Sequence, residues 1–175
     1  MLYQSHYQSP LGDIVLLSDE EALMGLWFAD QKYYGAGFDL ADVTVGQSAP
    51  IKQAMVWLTA YFAGEQPDIG ELKLAPQVTA FRQSVLAALA TIPYGRSLTY
   101  KQVAQLITDD DAKAAQLARA VGGAVGHNPI SIIIPCHRVV ATDGALTGYA
   151  GGMDRKIALL ALEGFDRSHL EQQHI

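Results

Sequence analysis

Apolar and polar residues alternate in short runs through the first third of the chain, and turn-forming residues divide these runs at 10–13 and 19–20. Alternation with a period of two is typical of strands that bury one face. We therefore predict antiparallel strands near residues 2 to 8, 13 to 18 and 22 to 29. The segment from Gly35 to Ala49 contains glycine and aspartate without clear periodicity, so we predict a loop there.

A helical pattern begins at Pro50, a residue suited to the first turn of a helix. Apolar residues at helical spacing form one face of this helix: Ile51, Met55, Leu58 and Phe62. Gly64 follows its predicted end. Residues 70 to 77 are predicted to form a strand or a connector, and we divide the chain there into two domains, 1–76 and 77–175.

The rest of the chain has a more helical character. Thr79 can cap a helix that Pro93 and Gly95 end. Thr99 and Gln102 have the spacing of a capping box, which predicts a second, short helix. The residues of this helix that should face inward are Val103 and Leu106.

A third helix is predicted to follow Asp111, and its inward face is apolar: Ala114, Leu117, Val121 and Val125. Two short helices joined by a turn, with strands after the second, indicate a winged helix-turn-helix. Together with the strands of the first third, this pattern predicts a mixed α/β fold of the α+β kind.

Composition narrows the classes of protein that fit. Half of the 175 residues are apolar, which is enough to bury a core in one large domain or two small ones. The single cysteine excludes an internal disulfide and a cysteine-only zinc site, which favours a reducing compartment, and we expect the cytoplasm. Residues 1 to 6 do not form the basic and apolar regions of a signal peptide, and no apolar run reaches membrane-spanning length. We expect neither export nor a membrane anchor.

The chain has a net charge of −6, and a negative total charge is unfavourable for binding to the phosphates of nucleic acid. The acidic residues lie mostly before residue 75 and at 109–111, whereas eight basic residues lie in the C-terminal half, so a modest basic face can form there. This distribution predicts weak nonspecific affinity for nucleic acid, with a shallow dependence on salt.

The cysteine lies at the end of an apolar run. Ile132–Ile134 is predicted to be a strand, Pro135 ends it, and Cys136 is followed at once by His137 and Arg138. Cations beside a thiol favour the thiolate, the reactive form. The alternative is a small buried apolar residue beside a loop, as most free cysteines are.

The hexapeptide from Pro135 to Val140 closely resembles the active-site signature of the O6-alkylguanine-DNA alkyltransferases. Further blocks occur in the family's order and at similar spacing: Ala118–Ala124, Asn128–Pro129, Gly148–Gly152 and Leu162–Gly164. The N-terminal half matches more loosely, at 9–12 and 25–28. The resemblance implies a ribonuclease-H-like antiparallel sheet with a helix, followed by a winged helix-turn-helix alkyltransferase domain. It also implies the stand-alone type, with no cofactor and no metal.

The reaction that the resemblance implies is irreversible, single-turnover transfer of an alkyl group from O6-alkylguanine in double-stranded DNA to Cys136, with O4-alkylthymine as a further possible substrate. The base must leave the stack to be reached. His137 would act as general base through a water, Glu163 would orient the imidazole, and Tyr100 would donate a proton to N3 of guanine. Neighbouring residues of an extended chain point to opposite faces, so a turn at Pro135–Cys136 or a bridging water is required.

The resemblance also assigns roles around this centre. The helix after Asp111 would enter the minor groove, with Arg119 filling the space of the flipped nucleotide. The other residues assigned to DNA binding are Thr99, Ala118, Ala120, Gly122 and Gly123. Tight packing within the domain is the alternative explanation for the two glycines. Asn128 would tie this helix to the cysteine strand, and the alkyl pocket would comprise Ser131, Pro135, Gly148, Tyr149 and Ala150.

Three departures and two alternative functions accompany this resemblance. Ala150 stands where some relatives have serine, Ser131 where some have proline, and the stretch 109–111 is unusually acidic. One alternative is a relative that binds the lesion without repair; such proteins carry tryptophan in place of the nucleophile, so Cys136 argues against it. The other is a winged-helix regulator with a structural or redox thiol. We expect a monomer.

Overall fold

The computed structural model describes residues 1–173, which divide into two compact units. The first comprises Met1–Gln77 together with Pro129–Ser131, and the second comprises Val78–Asn128 and the chain from Ile132 onward. The fold is a mixed α+β one, as predicted from the sequence. Within the described part of the chain, no helix has both the length and the apolar character needed to span a membrane.

The first unit is built on a four-stranded sheet. Strands β1 (Tyr3–Ser9), β2 (Gly12–Ser18) and β3 (Leu23–Phe28) are antiparallel neighbours, which confirms the three predicted strands. The predicted loop contains two short elements instead: a 3-10 helix at Leu40–Asp42 and strand β4 (Thr44–Val45), which pairs in parallel with β1. The strand order is therefore β3-β2-β1-β4.

Strand β3 is buried along its whole length because other segments of the unit pair with it. Leu23 forms an isolated parallel bridge with Leu74, and Leu26 forms one with Ile130. The amide of Leu26 donates to the carbonyl of Pro129 at 2.9 Å. These pairs satisfy backbone groups that an edge strand would leave open.

Helix α1 (Ala49–Phe62) packs beside this sheet, and a short 3-10 helix (Ile69–Glu71) follows it. Of the four residues predicted to face inward, two are fully buried, but Met55 and Phe62 are only half-buried. The buried stripe instead runs through Ile51, Ala54, Trp57, Leu58 and Tyr61. The stripe includes two large aromatic rings, Trp57 and Tyr61, which stack with centroids 5.5 Å apart and so bury a large apolar area on this side of the helix.

The second unit contains five helices among its described residues. Helix α2 (Ala80–Leu89) is capped by Thr79, as predicted. Strand β5 (Leu98–Thr99) leads directly into α3 (Tyr100–Ile107), whose capping box between Thr99 and Gln102 is confirmed. The remaining helices are α4 (Asp111–Gly126), α5 (Met153–Leu162) and α6 (Arg167–Gln173).

Helices α3 and α4 pack closely against each other and form the helix-turn-helix. Val103 of α3 is fully buried, but the prediction that Leu106 faces inward is wrong, since 57% of it is exposed. The buried face of this two-turn helix consists of Val103 and Ala104, and Leu106 lies outside it. On α4, Ala114, Val121 and Val125 are buried as predicted, whereas Leu117 is half-buried.

Candidate active site

Cys136 opens a one-turn 3-10 helix (Cys136–Arg138) and does not lie at the end of a strand. The predicted strand Ile132–Ile134 is wrong: these residues form turns, and Ile132 has a φ of +68°, which is rare for a β-branched residue. Pro135, with φ −82° and ψ 66°, forms a tight inverse turn in which the amide of Cys136 donates to the carbonyl of Ile134 at 2.8 Å. Such a turn is expected from the sequence, because adjacent residues of an extended strand, such as Cys136 and His137, would point to opposite faces.

Strand β6 (Val139–Val140) follows the 3-10 helix and pairs in parallel with β5. Leu98 lies opposite Val139, and Thr99 lies opposite Val140. The start of the helix-turn-helix is thus joined by backbone pairing to the residues immediately after the cysteine turn.

Asn128 stabilises the cysteine turn from the end of α4. Its buried side-chain amide donates to the carbonyl of Ile134 at 2.9 Å, so this carbonyl accepts hydrogen bonds from Asn128 and from the amide of Cys136. Asn128 lies two residues beyond the last residue of α4, Gly126. It therefore links the end of the predicted recognition helix to the turn that carries the thiol.

The Cys136 thiol is almost fully buried. Burial raises its pKa, whereas a hydrogen bond with the Asn128 side chain and the positive charge of Lys156 lower it. Burial also raises the pKa of Tyr149 well above the ordinary value, and the adjacent Cys136 raises it further. The thiol therefore lies beside a neutral phenol, and it needs a base to become nucleophilic.

His137 forms a buried pair with Glu163, with 2.6 Å between Nε2 and Oε2. A carboxylate only accepts, so Nε2 carries the proton and Nδ1 keeps the basic lone pair. Nδ1 is buried and has no hydrogen-bond partner among the described residues. Burial lowers the pKa of His137, and Glu163 opposes this effect. The imidazole is therefore oriented by its carboxylate and presents a free basic nitrogen.

Arg138 completes this network, although the sequence prediction gave it no role there. Its guanidinium donates to both carboxylate oxygens of Glu163, from Nε at 2.7 Å and from Nη2 at 3.1 Å. Its Nη1 donates to the carbonyl of Ile92 at 2.7 Å, and the amide of Gly95 donates to Glu163 at 3.1 Å. Glu163 is thus held from three sides in a buried site, which keeps it ionised.

Lys156 on α5 is a second residue that the sequence prediction missed. It is 1% exposed, and its Nζ donates to the carbonyl of Val139 at 2.7 Å and to those of Thr147 and Gly148 at 3.3 Å. Burial lowers its pKa to about 8. The sequence contains a pattern that indicates its burial, because Lys156 precedes Leu159 and Leu160 by three and four residues and so lies on the same face of the helix.

The predicted DNA-binding residues lie on α3, α4 and their caps. Thr99 caps α3, and the Tyr100 hydroxyl lies 3.5 Å from the carbonyl of Thr147. On α4, Arg119 and Ala120 are exposed and Ala118 is half-buried. The glycines differ: a methyl group at Gly122 would lie 3.9 Å from the Tyr100 ring, whereas one at Gly123 would meet nothing within 4 Å. Packing within the domain therefore does not account for Gly123.

The predicted pocket residues lie in different parts of the chain. Gly148, with a φ of +48°, Tyr149 and Ala150 belong to the loop before α5. Ser131 is buried in the first unit, where its hydroxyl donates to the side-chain oxygen of Gln31 at 3.3 Å. The structure also gives a role to the acidic stretch, since Asp110 caps α4 by accepting from the amides of Ala112 and Lys113.

Two features bear on what else the site could hold. Among the described residues, no three His, Cys, Asp or Glu side chains lie close enough to hold a metal ion. The polar groups around Cys136 contact one another and backbone carbonyls, in an arrangement suited to proton transfer to and from sulfur.

Comparisons with known proteins cover nearly the whole chain. Residues 80–165 match the family model described as 6-O-methylguanine DNA methyltransferase, DNA binding domain. Residues 2–76 match the model described as 6-O-methylguanine DNA methyltransferase, ribonuclease-like domain.

Individual relatives agree with both matches. The chain is 43% identical to the methylated-DNA–protein-cysteine methyltransferase of Methanosarcina acetivorans, over 93% of this chain and 99% of the relative. It is 40% identical to that of Haemophilus influenzae, over 93% and 86%. A crystal structure of Mycobacterium tuberculosis OGT in complex with DNA superposes with a TM-score of 0.79, at 40% identity and 92% coverage of both chains.

Proposed function

The chain belongs to the 6-O-methylguanine DNA methyltransferase family, and we propose that it repairs DNA by transferring an alkyl group from O6 of guanine to the sulfur of Cys136. The observation that carries this proposal is the site itself: the single cysteine of the chain lies buried directly before a histidine that is paired with a carboxylate. The relatives, named for methyl transfer to a cysteine, support the same reaction.

The thiol is activated through His137. Nδ1 accepts the thiol proton through one bridging water, while Nε2 keeps its own proton on Glu163. Nε2 is bonded to Glu163, so Nδ1 is the ring nitrogen that remains to accept a proton from the thiol, which supports this direction of transfer. Asn128 and Lys156 favour the thiolate that results, since both lower the pKa of Cys136.

In the transfer step the sulfur attacks the alkyl carbon. A bond between sulfur and carbon forms, the bond between O6 and carbon breaks, and its electron pair leaves with guanine. Tyr100 donates a proton to N3 so that guanine departs as a neutral base. The product is a thioether, and no group in the described site could remove the alkyl group, so each molecule acts once.

Access to O6 requires the nucleotide to rotate out of the duplex. The exposed side of α4, with Arg119 and the open position at Gly123, supports a role as the helix that enters the minor groove. Thr99, Ala118, Ala120 and Gly122 would flank it. We assign DNA binding and chemistry to the C-terminal domain, 77–175, and the loop with Gly148, Tyr149 and Ala150 to the base pocket, together with Pro135.

The same proposal includes the setting of the protein. Its partner is double-stranded DNA that contains O6-alkylguanine, and it acts as a monomer. A single cysteine that must stay reduced to act favours the cytoplasm.

The decisive experiment is the intact mass of the protein after incubation with a duplex that contains O6-methylguanine, followed by peptide mapping. We expect a gain of one methyl group per molecule, located on Cys136. Cys136→Ser should gain none and still bind the lesion. No gain in the native protein, with lesion-selective binding, would indicate a protein that senses damage without repair. A methylated Cys136→Ser protein would exclude Cys136 as the acceptor.

A second experiment separates flipping from chemistry. Arg119→Ala should slow repair of duplex DNA far more than transfer from free O6-benzylguanine, which needs no flipping. Equal losses on both substrates would show that Arg119 does not assist rotation of the nucleotide.

A further inference from the structure

A third residue, Arg138, is bonded to the buried pair of His137 and Glu163, and the proposed reaction gives it no role. Arg138 follows His137 directly, yet its guanidinium reaches the same carboxylate through two parallel hydrogen bonds, at 2.7 and 3.1 Å. The side chain is 10% exposed and that of Glu163 is fully buried. The imidazole and the guanidinium therefore share one carboxylate in a buried site.

The count of charges in this site determines what the imidazole can do. An ionised Glu163 on its own would attract a second proton onto His137, because opposite charge at hydrogen-bond distance favours the charged form. An imidazolium has no lone pair and cannot accept a proton from the thiol. The charge of Arg138 cancels that of Glu163, so the pair presents no net charge to the imidazole.

Other groups near the imidazole act in the same direction or are neutral. Lys156 on α5 lowers the pKa of His137, as Arg138 does, and burial lowers it most. Cys136, Tyr94 and Tyr149 are further titratable groups of this region, and the Tyr94 ring lies 5.7 Å from the Arg138 guanidinium. Burial raises the pKa of both tyrosines, so they carry no charge near neutral pH. Of the charged groups that shift the pKa of His137, Glu163 is the one that raises it, and Arg138 forms two hydrogen bonds with Glu163.

We propose that Arg138 is a positioning residue for alkyl transfer: it fixes the Glu163 carboxylate and neutralises it, so that His137 stays an uncharged base with its proton on Nε2. This proposal rests on the proposed function, since it assigns a role within that reaction. The side-chain hydrogen bonds of Arg138 go to Glu163 and to the carbonyl of Ile92, so its effect on the reaction passes through Glu163 and His137.

The first measurement is the charge of the imidazole itself, which does not depend on alkyl transfer. In protein labelled with 15N-histidine, the ring nitrogens of His137 should report a neutral ring, protonated at Nε2, at pH 7. An imidazolium at pH 7 in the native protein would overturn the proposal, whether or not any variant folds.

The second measurement is the rate of transfer from free O6-benzylguanine between pH 6 and pH 9, expressed as the ratio of variant to native protein at each pH. This ratio cancels the titration of Cys136 and Lys156. For Arg138→Gln, the midpoint of the His137 titration and the acid limb of the profile should rise together by about one pH unit or more. The ratio should then fall as the pH drops from 9 to 6, by at most about tenfold for each pH unit by which the midpoint rises. Arg138→Lys keeps the charge and should restore most of the profile.

Arg167 provides the matched control, because it forms an Arg–Glu pair with Glu171 whose side chains are both exposed. Arg167→Gln should leave the profile unchanged. A ratio for Arg138→Gln that stays constant across the pH range would mean that Arg138 is only structural and would refute the proposal. So would an Arg138→Lys profile identical to that of Arg138→Gln. A native protein that transfers no alkyl group would instead refute the proposed function and leave the imidazole measurement standing.

Discussion

Replacement of Asn128 tests how the end of α4 controls the cysteine turn. The side-chain amide donates to the buried carbonyl of Ile134 at 2.9 Å and also interacts with the Cys136 thiol. Asn128→Ala removes the donor and leaves space in its place. Asn128→Asp keeps the shape but replaces the donor with a carboxylate oxygen, which would face a carbonyl oxygen and the sulfur.

The two variants should differ in size of effect. Loss of one partner from a buried polar group costs about 1–3 kcal/mol of unfolding free energy. The Ile134 carbonyl keeps its bond from the Cys136 amide, so we expect the lower part of that range, about 1–2 kcal/mol, for Asn128→Ala. Asn128→Asp buries a carboxylate whose oxygen faces the Ile134 carbonyl, and we expect a cost of about 3 kcal/mol or more.

Urea denaturation measures both changes, and the two units can be followed separately. Trp27 and Trp57 both lie in the first unit, so tryptophan fluorescence reports that unit. Circular dichroism at 222 nm reports mainly the second unit, which contains five of the six described α-helices. With a slope of about 2 kcal/mol per molar urea, Asn128→Ala should lower the midpoint of the dichroism transition by about 0.5–1 M.

The rate of transfer from free O6-benzylguanine provides the second measurement. Both variants should be slower than the native protein, and Asn128→Asp slower than Asn128→Ala, because a negative charge beside the thiol raises its pKa. Gln105→Ala, which removes an exposed amide from α3, is the control and should change neither quantity. If Asn128→Asp proved as stable and as fast as Asn128→Ala, the hydrogen bond would not hold the turn.

Three further predictions concern packing, charge and the recognition helix. Gly25→Ala should destabilise the first unit by about 1–3 kcal/mol, since the new methyl would lie 2.0 Å from the buried Trp27 ring; normal stability would show that the ring can move. Gly123→Ala should stabilise α4 by about 0.5–1 kcal/mol in thermal melts but weaken binding to lesion-containing duplex, and Gly126→Ala is its control. Unimpaired binding by Gly123→Ala would exclude a close approach of α4 to DNA at this position. Lys156 has a pKa of about 8 in the folded protein, below the ordinary value of 10.5. Between pH 8 and pH 10.5 the unfolded chain therefore holds a proton on Lys156 that the folded chain lacks. The free energy of unfolding should rise with pH over this range. Urea midpoints of Lys156→Met should lack this rise, and an equal rise in both proteins would contradict the assignment.

The features predicted correctly from the sequence depend on residues close together in the chain. Thr79 and Thr99 cap helices because their hydroxyls accept from amides three residues on, within one turn. Of the first three strands, β1 follows from alternation, whereas β2 and β3 are short apolar runs bounded by turns. The family was evident from blocks of residues in order, a comparison that needs no coordinates.

The errors occurred where distant segments meet. The apolar run before Cys136 has the composition of a strand, but tertiary contacts hold it in turns, with Ile132 at a positive φ and the Asn128 amide on the Ile134 carbonyl. The exposure of Leu106 could not be predicted from the sequence either, because a two-turn helix has too few residues to define its buried face by periodicity.

The sequence by itself determined the local elements of this protein, its one candidate nucleophile and its family. Only the tertiary structure decided that Arg138, His137 and Glu163 form one buried network and that Lys156 is buried below the loop at Thr147 and Gly148. The physical reason is range. Caps and turns are settled by neighbours, whereas Glu163 lies 25 residues beyond Arg138 in the chain, and their pairing exists only after folding has brought them together and excluded water.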